Sequence, residues 1–249
     1  MAIGIIDSGL GGYSIYHALH TAYPKAAFVF LADQAHAPYG NKQASEIIEI
    51  ASRNMNWFLS QGITEVVIAC NTMNAVALDT LKLTFPEITF HDVLGPTLKQ
   101  LESTDIQDWL VVATQLTIQS QMYPQAIQAN YPEMKVKSQA LPRLVSLIEG
   151  LAEAPEIDAY LNETLSSDQL NQKGLILGCT HYPLALQSFK EVFKGEIIDS
   201  IQAMVTHFEG KVLQTGNAQC YTTKDASYAH HQVRQLFDVS VDFEKAMVD

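Results

Sequence analysis

Residues 66–82 read VVIACNTMNAVALDTLK, and residues 175–190 read LILGCTHYPLALQSFK. In each stretch an apolar run leads through Ala or Gly to a cysteine, then to hydroxyl-bearing residues and a helix-like run. The pattern predicts a buried strand followed by a helix, with Cys70 and Cys179 at equivalent strand ends. Such a repeat within one chain predicts two similar lobes.

The rest of the chain extends this repeat. Residues 3–12 (IGIIDSGLGG) and 109–118 (WLVVATQLTI) form a fainter pair, each placing a strand before a small polar turn. Apolar runs alternate with amphipathic runs of helical period, which predicts an α/β fold. We expect two pseudo-symmetric lobes, each a mainly parallel sheet flanked by helices: residues 1–93 with about 205–249, and residues 94–204. The predicted strands are 3–6, 28–31, 65–69, 89–93, 110–113, 175–177 and 196–198, and the predicted helices include 45–60, 75–83 and 118–129.

The composition limits the classes of partner. The chain of 249 residues carries 15 Lys and Arg against 27 Asp and Glu, a formal net charge of -12. This charge repels a phosphate backbone, so we expect no nucleic-acid partner. The first residues carry no basic leader and no apolar run reaches membrane-spanning length, so we expect no signal peptide and no membrane partner. The three scattered cysteines form no disulfide framework, and a reducing cytoplasm is the expected location.

The two cysteines are the first candidates for chemistry. A single unpaired cysteine is usually a buried packing residue. Cys70-Asn71-Thr72 and Cys179-Thr180-His181, however, repeat one setting, in which free N–H groups at a helix start stabilise a thiolate or a bound carboxylate. Ligands in α/β sheets bind beyond the carboxyl ends of strands. If the lobes face each other, the two thiols therefore face one site between them.

Neighbouring polar residues allow two interpretations each. Asp7 at the end of the first strand is either a helix N-cap or a carboxylate in the cleft that partners Cys70. His181 either packs as a polar residue or tunes the protonation of Cys179 and binds a substrate group. Residues 9–12 lack the spacing of a dinucleotide-binding loop, and their glycines allow N–H groups to approach an anionic ligand. Residues 38–40 form either a simple turn or a substrate loop.

Two other chemistries fit these residues less well. Cysteine, histidine and aspartate are zinc ligands, but the paired spacing of a structural zinc site is missing, and no metal is expected. Cys179 with His181 also matches the nucleophile and base of a thiol hydrolase, which leaves Cys70 without a role.

Five ordered blocks of sequence resemble the glutamate racemases, of the aspartate/glutamate racemase superfamily. The resemblance runs from near the first residue to about residue 200. In Gly178-Cys179-Thr180-His181 the histidine resembles the residue found in the glutamate racemases. Aspartate racemases more often have a glutamate residue at that position. The blocks are IGIIDSGLGG (3–12), ADQAHAPYGNK (32–42), IACNTMNAVALD (68–79), ATQLTIQSQMY (113–123) and LILGCTHYPL (175–184).

The resemblance implies an active site between the lobes that works without pyridoxal phosphate, flavin or metal. It further implies a homodimer, and D-glutamate made for peptidoglycan in cell-wall biogenesis and the maintenance of cell shape. Cys70 and Cys179 are the implied catalytic thiols, assisted by Asp7 and His181. The implied substrate contacts are Asp7, Ser8, Tyr39, Gly40, Asn71, Thr72, Thr180 and His181, with Thr114 and Thr117 as further contacts and Glu149 in LPRLVSLIE near the site.

Racemisation fits an opposed pair of thiols. Inverting a carbon centre requires that one proton leaves one face while another arrives on the opposite face. A thiol with an unperturbed pKa of about 8.5 needs little help to ionise near neutral pH while its partner stays protonated. Two alternatives remain open: an aspartate racemase or a related isomerase or decarboxylase, and a non-catalytic two-lobed amino-acid-binding protein. A substrate panel separates the first, and exchange of the α-proton separates the second.

Overall fold

A computed structural model describes residues 2–248. Its strands form two sheets, in which the paired strands all run parallel. The strands are β1 (Ile3–Asp7), β2 (Phe28–Ala32), β3 (Glu65–Ile68), β4 (Thr89–Asp92), β5 (Asp108–Ala113), β6 (Lys135–Ala140), β7 (Gly174–Gly178), β8 (Glu196–Ile198), β9 (Gln219–Thr222) and β10 (Phe243–Lys245). The α-helices are α1 (Tyr13–Ala22), α2 (Ala44–Ser60), α3 (Asn71–Thr84), α4 (Leu94–Lys99), α5 (Gln115–Gln119), α6 (Met122–Asn130), α7 (Leu144–Glu149), α8 (Ala154–Thr164), α9 (Ser167–Leu170), α10 (Leu186–Val192), α11 (Ser200–His207) and α12 (Ala226–Phe237).

The four strands of the second sheet repeat the order of four strands in the first. The first runs β10-β9-β2-β1-β3-β4 and the second runs β6-β5-β7-β8. Four strands of the first sheet, β2-β1-β3-β4, therefore repeat in the second with every strand number raised by four. The predicted α/β fold of two pseudo-symmetric lobes is confirmed, and β3 and β7, which precede the two cysteines, occupy equivalent places.

Both faces of each sheet are covered. Successive strand residues point to opposite faces, so Ile5 joins one buried cluster of the first sheet and Ile6 joins the other. In the second sheet Val111 and Val112 divide in the same way. Strands that are buried on both faces read as continuous apolar runs, which explains why the sequence revealed them.

The chain crosses from the first sheet to the second after β4 and returns through α11. Helix α11 packs against α1 and α4, and its Met204 lies in a core cluster with Phe28 and Phe30 of the first sheet. The proposed lobe boundaries, 1–93 with about 205–249 and 94–204, stay a prediction.

Several elements differ from the sequence prediction. The predicted helix 118–129 is divided between α5 and α6, because Gln121 adopts a left-handed conformation with φ of 59°. The strands β6, β9 and β10 were not predicted. Strand β6 reads KVKSQA and is only half-buried at a sheet edge, so its sequence lacks an apolar run. In the described part of the chain, no helix combines the length and the apolar content needed to cross a bilayer.

Candidate active site

Cys70 and Cys179 lie at the carboxyl ends of equivalent strands and line one cavity between the two sheets. Cys70 is the N-cap of α3, and its Sγ accepts a hydrogen bond of 3.5 Å from the Met73 N–H. Cys179 follows β7 directly. Both side chains are buried, at 4% and 6% exposure. Two thiols that are distant in sequence therefore share one site.

Ten of the thirteen residues predicted for the site line this cavity, and Asp7, Thr117 and Glu149 lie behind it. The cavity volume is about 20 Å³. A cavity of about 10–15 Å³ is enough for one water molecule, so the cavity in this structure is too small for an amino acid. The lining residues are Ser8, Pro38, Tyr39, Gly40, Cys70, Asn71, Thr72, Thr114, Val145, Cys179, Thr180 and His181.

An imidazole and a carboxylate stand beside Cys179. His181 is hydrogen-bonded to Cys179, and its Nε2 lies 2.9 Å from Glu149 Oε1. Burial opposes the charge on His181, yet the hydrogen bonds to Cys179 and Glu149 raise the pKa of the imidazole well above its usual value. Burial likewise opposes the charge on Glu149, but His181 lowers the pKa of this carboxyl overall. An imidazolium next to a sulfur atom favours the thiolate.

The surroundings of Cys70 have the opposite effect. Burial and the nearby Asp7 raise the pKa of the Cys70 thiol to about 12, although hydrogen bonds with Met73 and Ser8 oppose this rise. The Ser8 Oγ lies 3.6 Å from Cys70 Sγ. At neutral pH Cys70 is therefore a protonated thiol. The two otherwise equivalent cysteines therefore lie in different electrostatic surroundings.

Asp7 connects the two lobes. Its Oδ1 accepts a hydrogen bond of 3.1 Å from the Thr180 hydroxyl, and its Oδ2 accepts one of 3.0 Å from the Gly9 N–H. The carboxyl is fully buried, and burial raises its pKa overall despite the opposing effects of His181, the backbone N–H groups and Thr180. Asp7 thus influences Cys70 through its charge while it holds the threonine that follows Cys179.

The glycine loop after β1 allows the lobes to approach closely. A Cβ atom on Gly11 would overlap His181 Nδ1 and would lie 2.6 Å from Thr180 Oγ1. Real Cβ atoms do not make such contacts, so an alanine here would push the second lobe away. The sequence predicts that the glycines of this loop allow N–H groups to approach an anionic ligand. The structure shows in addition that Gly11 lies against Thr180 and His181.

Three hydroxyl groups meet across the cleft. Thr72 Oγ1 lies 3.0 Å from Thr114 Oγ1 and 3.3 Å from Thr117 Oγ1, and the last two lie 2.9 Å apart. Thr72 belongs to α3, whereas Thr114 and Thr117 lie at the start of α5. The cluster supplies neutral donors at the cavity wall and places three of the four predicted threonines together.

Other residues near the site were missed by the sequence interpretation. Asp33 is fully buried and accepts hydrogen bonds from the Tyr39 hydroxyl (2.5 Å), the Thr223 hydroxyl (2.8 Å) and the Asn54 amide (3.3 Å). It follows β2 as Asp7 ends β1, so the strand-end argument could have found it. Val145 lines the cavity from α7, and no sequence signal distinguishes it from the other apolar residues of that helix.

The described residues contain no group of three or more His, Cys, Asp or Glu side chains that could hold a metal ion. The side chains that are present can do acid/base chemistry: a thiol on one side, a sulfur atom beside an imidazolium on the other, and neutral donors between them.

Comparisons with known proteins identify the family of this chain. The family model described as Asp/Glu/Hydantoin racemase matches residues 3–208. The glutamate racemase of Aquifex aeolicus is 34% identical over 247 residues, which cover 97% of this chain and 96% of that protein. The glutamate racemase of Lactobacillus acidophilus is 32% identical over 195 residues, covering 78% of this chain and 73% of that protein.

A solved structure covers the whole fold. The crystal structure of glutamate racemase from Francisella tularensis in complex with D-glutamate superposes with a TM-score of 0.90 at 29% identity, covering 100% of this chain and 98% of that chain. The match therefore includes the C-terminal strands that lie beyond the family model. The chain belongs to the Asp/Glu/Hydantoin racemase family, alongside these glutamate racemases.

Proposed function

We propose that this protein interconverts L-glutamate and D-glutamate by proton transfer between the substrate Cα and the sulfur atoms of Cys70 and Cys179. The observation that carries the proposal is that the two thiols, supplied by different sheets, line one cavity. A carbon held between them can lose a proton on one face and gain one on the other without turning over. The family membership and the glutamate racemases among its relatives support glutamate as the substrate.

We propose that the reaction starts with Cys179 as thiolate and Cys70 as thiol, which sets the first direction of proton transfer. Cys179 as thiolate removes the Cα proton, and the electron pair of the broken C–H bond remains on the substrate as a carbanion. Cys70 as thiol then donates its proton to the opposite face. Cys179 ends the turnover as a thiol and Cys70 as a thiolate, so the opposite enantiomer is the substrate of that second state. His181 and Glu149 support the first state, because the Glu149 carboxylate helps to keep the His181 imidazole positively charged next to Cys179.

Neutral donors serve the substrate carboxylates. The residues described as lining the cavity include no lysine or arginine, although the protein as a whole carries a charge of -12. The hydroxyl groups of Ser8, Thr72 and Thr180 and the amide of Asn71 are therefore the groups proposed to bind the anion. Asn71 begins α3, where free N–H groups and the helix dipole also favour negative charge. Preorganised donors of this kind stabilise the charge that develops during deprotonation.

The small cavity implies that opening and closing of the lobes accompany each turnover. A cavity of about 20 Å³ leaves little room for water beside the two sulfur atoms. The lobes must open to admit glutamate and close again around it. Closure would protect the carbanion from solvent protons, which would otherwise compete with Cys70.

The proposed role is the supply of D-glutamate for peptidoglycan, in the cytoplasm and as a homodimer. These three statements rest on the kinship with glutamate racemases. Analytical ultracentrifugation of the purified protein tests the dimer, and a monomer at micromolar concentration would contradict it.

Single substitutions of the two thiols test the reaction. Cys70→Ser and Cys179→Ser are each expected to lower racemisation by about a thousandfold, within the range of general acid–base contributions. Circular dichroism follows L- and D-glutamate without added cofactor. Cys220→Ala is the matched control, since Cys220 is a buried thiol in β9 outside the cavity. Full activity in both serine variants would refute the two-thiol mechanism.

Solvent deuterium separates the remaining alternatives. An aspartate racemase or related isomerase would exchange the α-proton of aspartate faster than that of glutamate, and a decarboxylase would release carbon dioxide. A non-catalytic binding protein would bind an amino acid without exchange. We expect exchange with glutamate to be fastest in a panel of acidic amino acids.

A further inference from the structure

Tyr123 lies beneath the site and belongs to neither cysteine loop. It is the second residue of α6 and is 1% exposed. Its hydroxyl donates a buried hydrogen bond of 2.7 Å to Asn71 Oδ1. Asn71 follows Cys70 and belongs to the first lobe, whereas α6 follows β5 of the second sheet. The hydrogen bond therefore crosses from one half of the molecule to the other.

The hydrogen bond fixes which end of the Asn71 amide faces the cavity. Asn71 lines the cavity and is 2% exposed, and within residues 2–248 its buried Nδ2 has no hydrogen-bond partner. A buried N–H group without a partner costs about 1–3 kcal/mol, and a ligand in the cavity would supply the missing acceptor. Because the oxygen is occupied by Tyr123, the nitrogen is the end that a substrate carboxylate meets.

The same ring supports the strand that carries the second cysteine. A Cβ atom on Gly178, the residue before Cys179, would lie 3.0 Å from Tyr123 Cε2. The ring thus packs against the end of β7 while its hydroxyl holds the residue after Cys70. One side chain therefore contacts the residue after Cys70 and lies close to the residue before Cys179.

Tyr123 also lies near the two points where the chain passes between the sheets. Burial raises its pKa, and the acidic groups of Cys179, Asp92 and Asp199 raise it further. Asp92 ends β4 and Asp199 is the N-cap of α11, so both mark the crossovers. The hydroxyl therefore keeps its proton at neutral pH and remains a donor to Asn71.

We propose that Tyr123 is a positioning residue, which orients the Asn71 amide toward the substrate carboxylate and holds the two cysteine loops in register across the cleft. This inference rests on the proposed function, because it assigns a role within the same site. Tyr123 does not touch the substrate. It acts through Asn71, and that route distinguishes it from a residue that only stabilises the fold.

Tyr123→Phe removes the hydroxyl and keeps the ring. The KM for both enantiomers is expected to rise about tenfold, the value of one well-aligned buried hydrogen bond, with a smaller change in kcat. The matched control is Tyr131→Phe, since Tyr131 caps the C-terminus of α6 and donates a hydrogen bond of 3.1 Å to the Leu98 carbonyl outside the site. This control is expected to leave KM unchanged, and thermal unfolding of both variants shows whether they fold alike.

A double-substitution cycle decides whether the effect passes through Asn71. In the Asn71→Ala background, adding Tyr123→Phe is expected to change kcat/KM less than twofold, because the amide that Tyr123 orients is gone. Asn71→Ser replaces Asn71→Ala if the latter does not fold. The same tenfold loss in either background, or an unchanged KM in Tyr123→Phe, would overturn the proposal.

The outcome stays separable from that of the proposed function. If the wild-type protein binds glutamate without racemising it, the proposed function fails, and calorimetric Kd values for glutamate replace KM in the same cycle. Coupling between Tyr123 and Asn71 in those values would still support the positioning role, and its absence would refute it.

Discussion

Glu149 Oε1 lies 2.9 Å from His181 Nε2, and the same imidazole is hydrogen-bonded to Cys179. Carboxylate, imidazole and sulfur form a chain, in which the carboxylate keeps the imidazole charged and the charged imidazole favours the thiolate. Cys70 has no such chain, and burial with the nearby Asp7 raises its pKa to about 12. The pseudo-symmetry of the sheets therefore does not extend to the charges around the two thiols.

Glu149→Gln is expected to lower kcat/KM about tenfold at pH 8, the effect of roughly one pKa unit at a coupled group. The substitution keeps an acceptor oxygen but removes the negative charge that raises the pKa of His181, while the burial that lowers this pKa remains. The imidazolium is then lost at a lower pH, so the deficit should grow as pH rises from 6 to 9. Rate measurements across that range test the slope.

The control for Glu149→Gln is Glu156→Gln, which removes an equal charge from an exposed position on α8. It should match the wild-type profile. A ratio of variant to wild-type rates that is constant with pH would show that Glu149 does not act through His181.

Alkylation should distinguish the two cysteines. Iodoacetamide reacts with thiolates, and at neutral pH Cys70, with a pKa of about 12, is a thiol. We expect Cys179 to be modified at least about ten times faster than Cys70, since the imidazolium of His181 lies next to it. Peptide mass spectrometry after timed quenching gives both rates, and glutamate should slow both. Faster labelling of Cys70 would reverse the proposed charge states.

Strand ends were the informative part of the sequence. The apolar runs before Asp7, Cys70 and Cys179 were recognisable because strands buried on both faces contain little else. Parallel strands bring their carboxyl ends to one edge, so residues after those runs converge without further information. The same reasoning extends to Asp33, which was overlooked although it follows β2.

Residues that reach the site from within helices were not predictable in this way. Tyr123 and Val145 occupy apolar positions, and helical period reports which face of a helix is buried without reporting what lies against it. Gln121 adopts a left-handed conformation just before α6, from which Tyr123 reaches Asn71. Because this residue is neither glycine nor proline, the sequence gives no signal of the turn. The interlobe geometry depends on such contacts, and a single strand pattern does not contain them.

Asp7→Asn is expected to reduce activity and to stabilise the fold at neutral pH. The folded-state pKa of Asp7 is raised above its usual 3.8 mainly by burial, so its ionised form is disfavoured in the folded protein. The favourable contribution of a group with a raised pKa is complete below its unfolded pKa and is lost as pH rises through the folded pKa. We expect the Tm at pH 7 to increase by about 2–4 °C, the shift given by about 1 kcal/mol in a chain of this size.

The pH dependence identifies the cause of that shift. Below pH 3.8 the Asp7 carboxyl of the wild type is mainly neutral in both the folded and the unfolded protein. The difference in stability between wild type and Asp7→Asn should therefore vanish at low pH. Thermal unfolding at several pH values measures it. A lower Tm for the variant at pH 7 would show that the charge of Asp7, with its bonds to Thr180 and Gly9, stabilises the fold instead.

Gly11→Ala tests whether the lobes must approach to the distance seen here. The added methyl group would overlap His181 and Thr180, which come from the opposite lobe, so closure around the substrate would stop short. Misplacement of catalytic groups by about 1 Å can cost about a hundredfold in rate, and we expect a loss of that order in kcat with little change in Tm. Gly95→Ala is the control, since the nearest atom to its added Cβ, Asp92 Oδ1, would lie 3.5 Å away. If Gly11→Ala retained full activity, closure to this geometry would not be required, and the thiols would act across a wider gap than the structure presents.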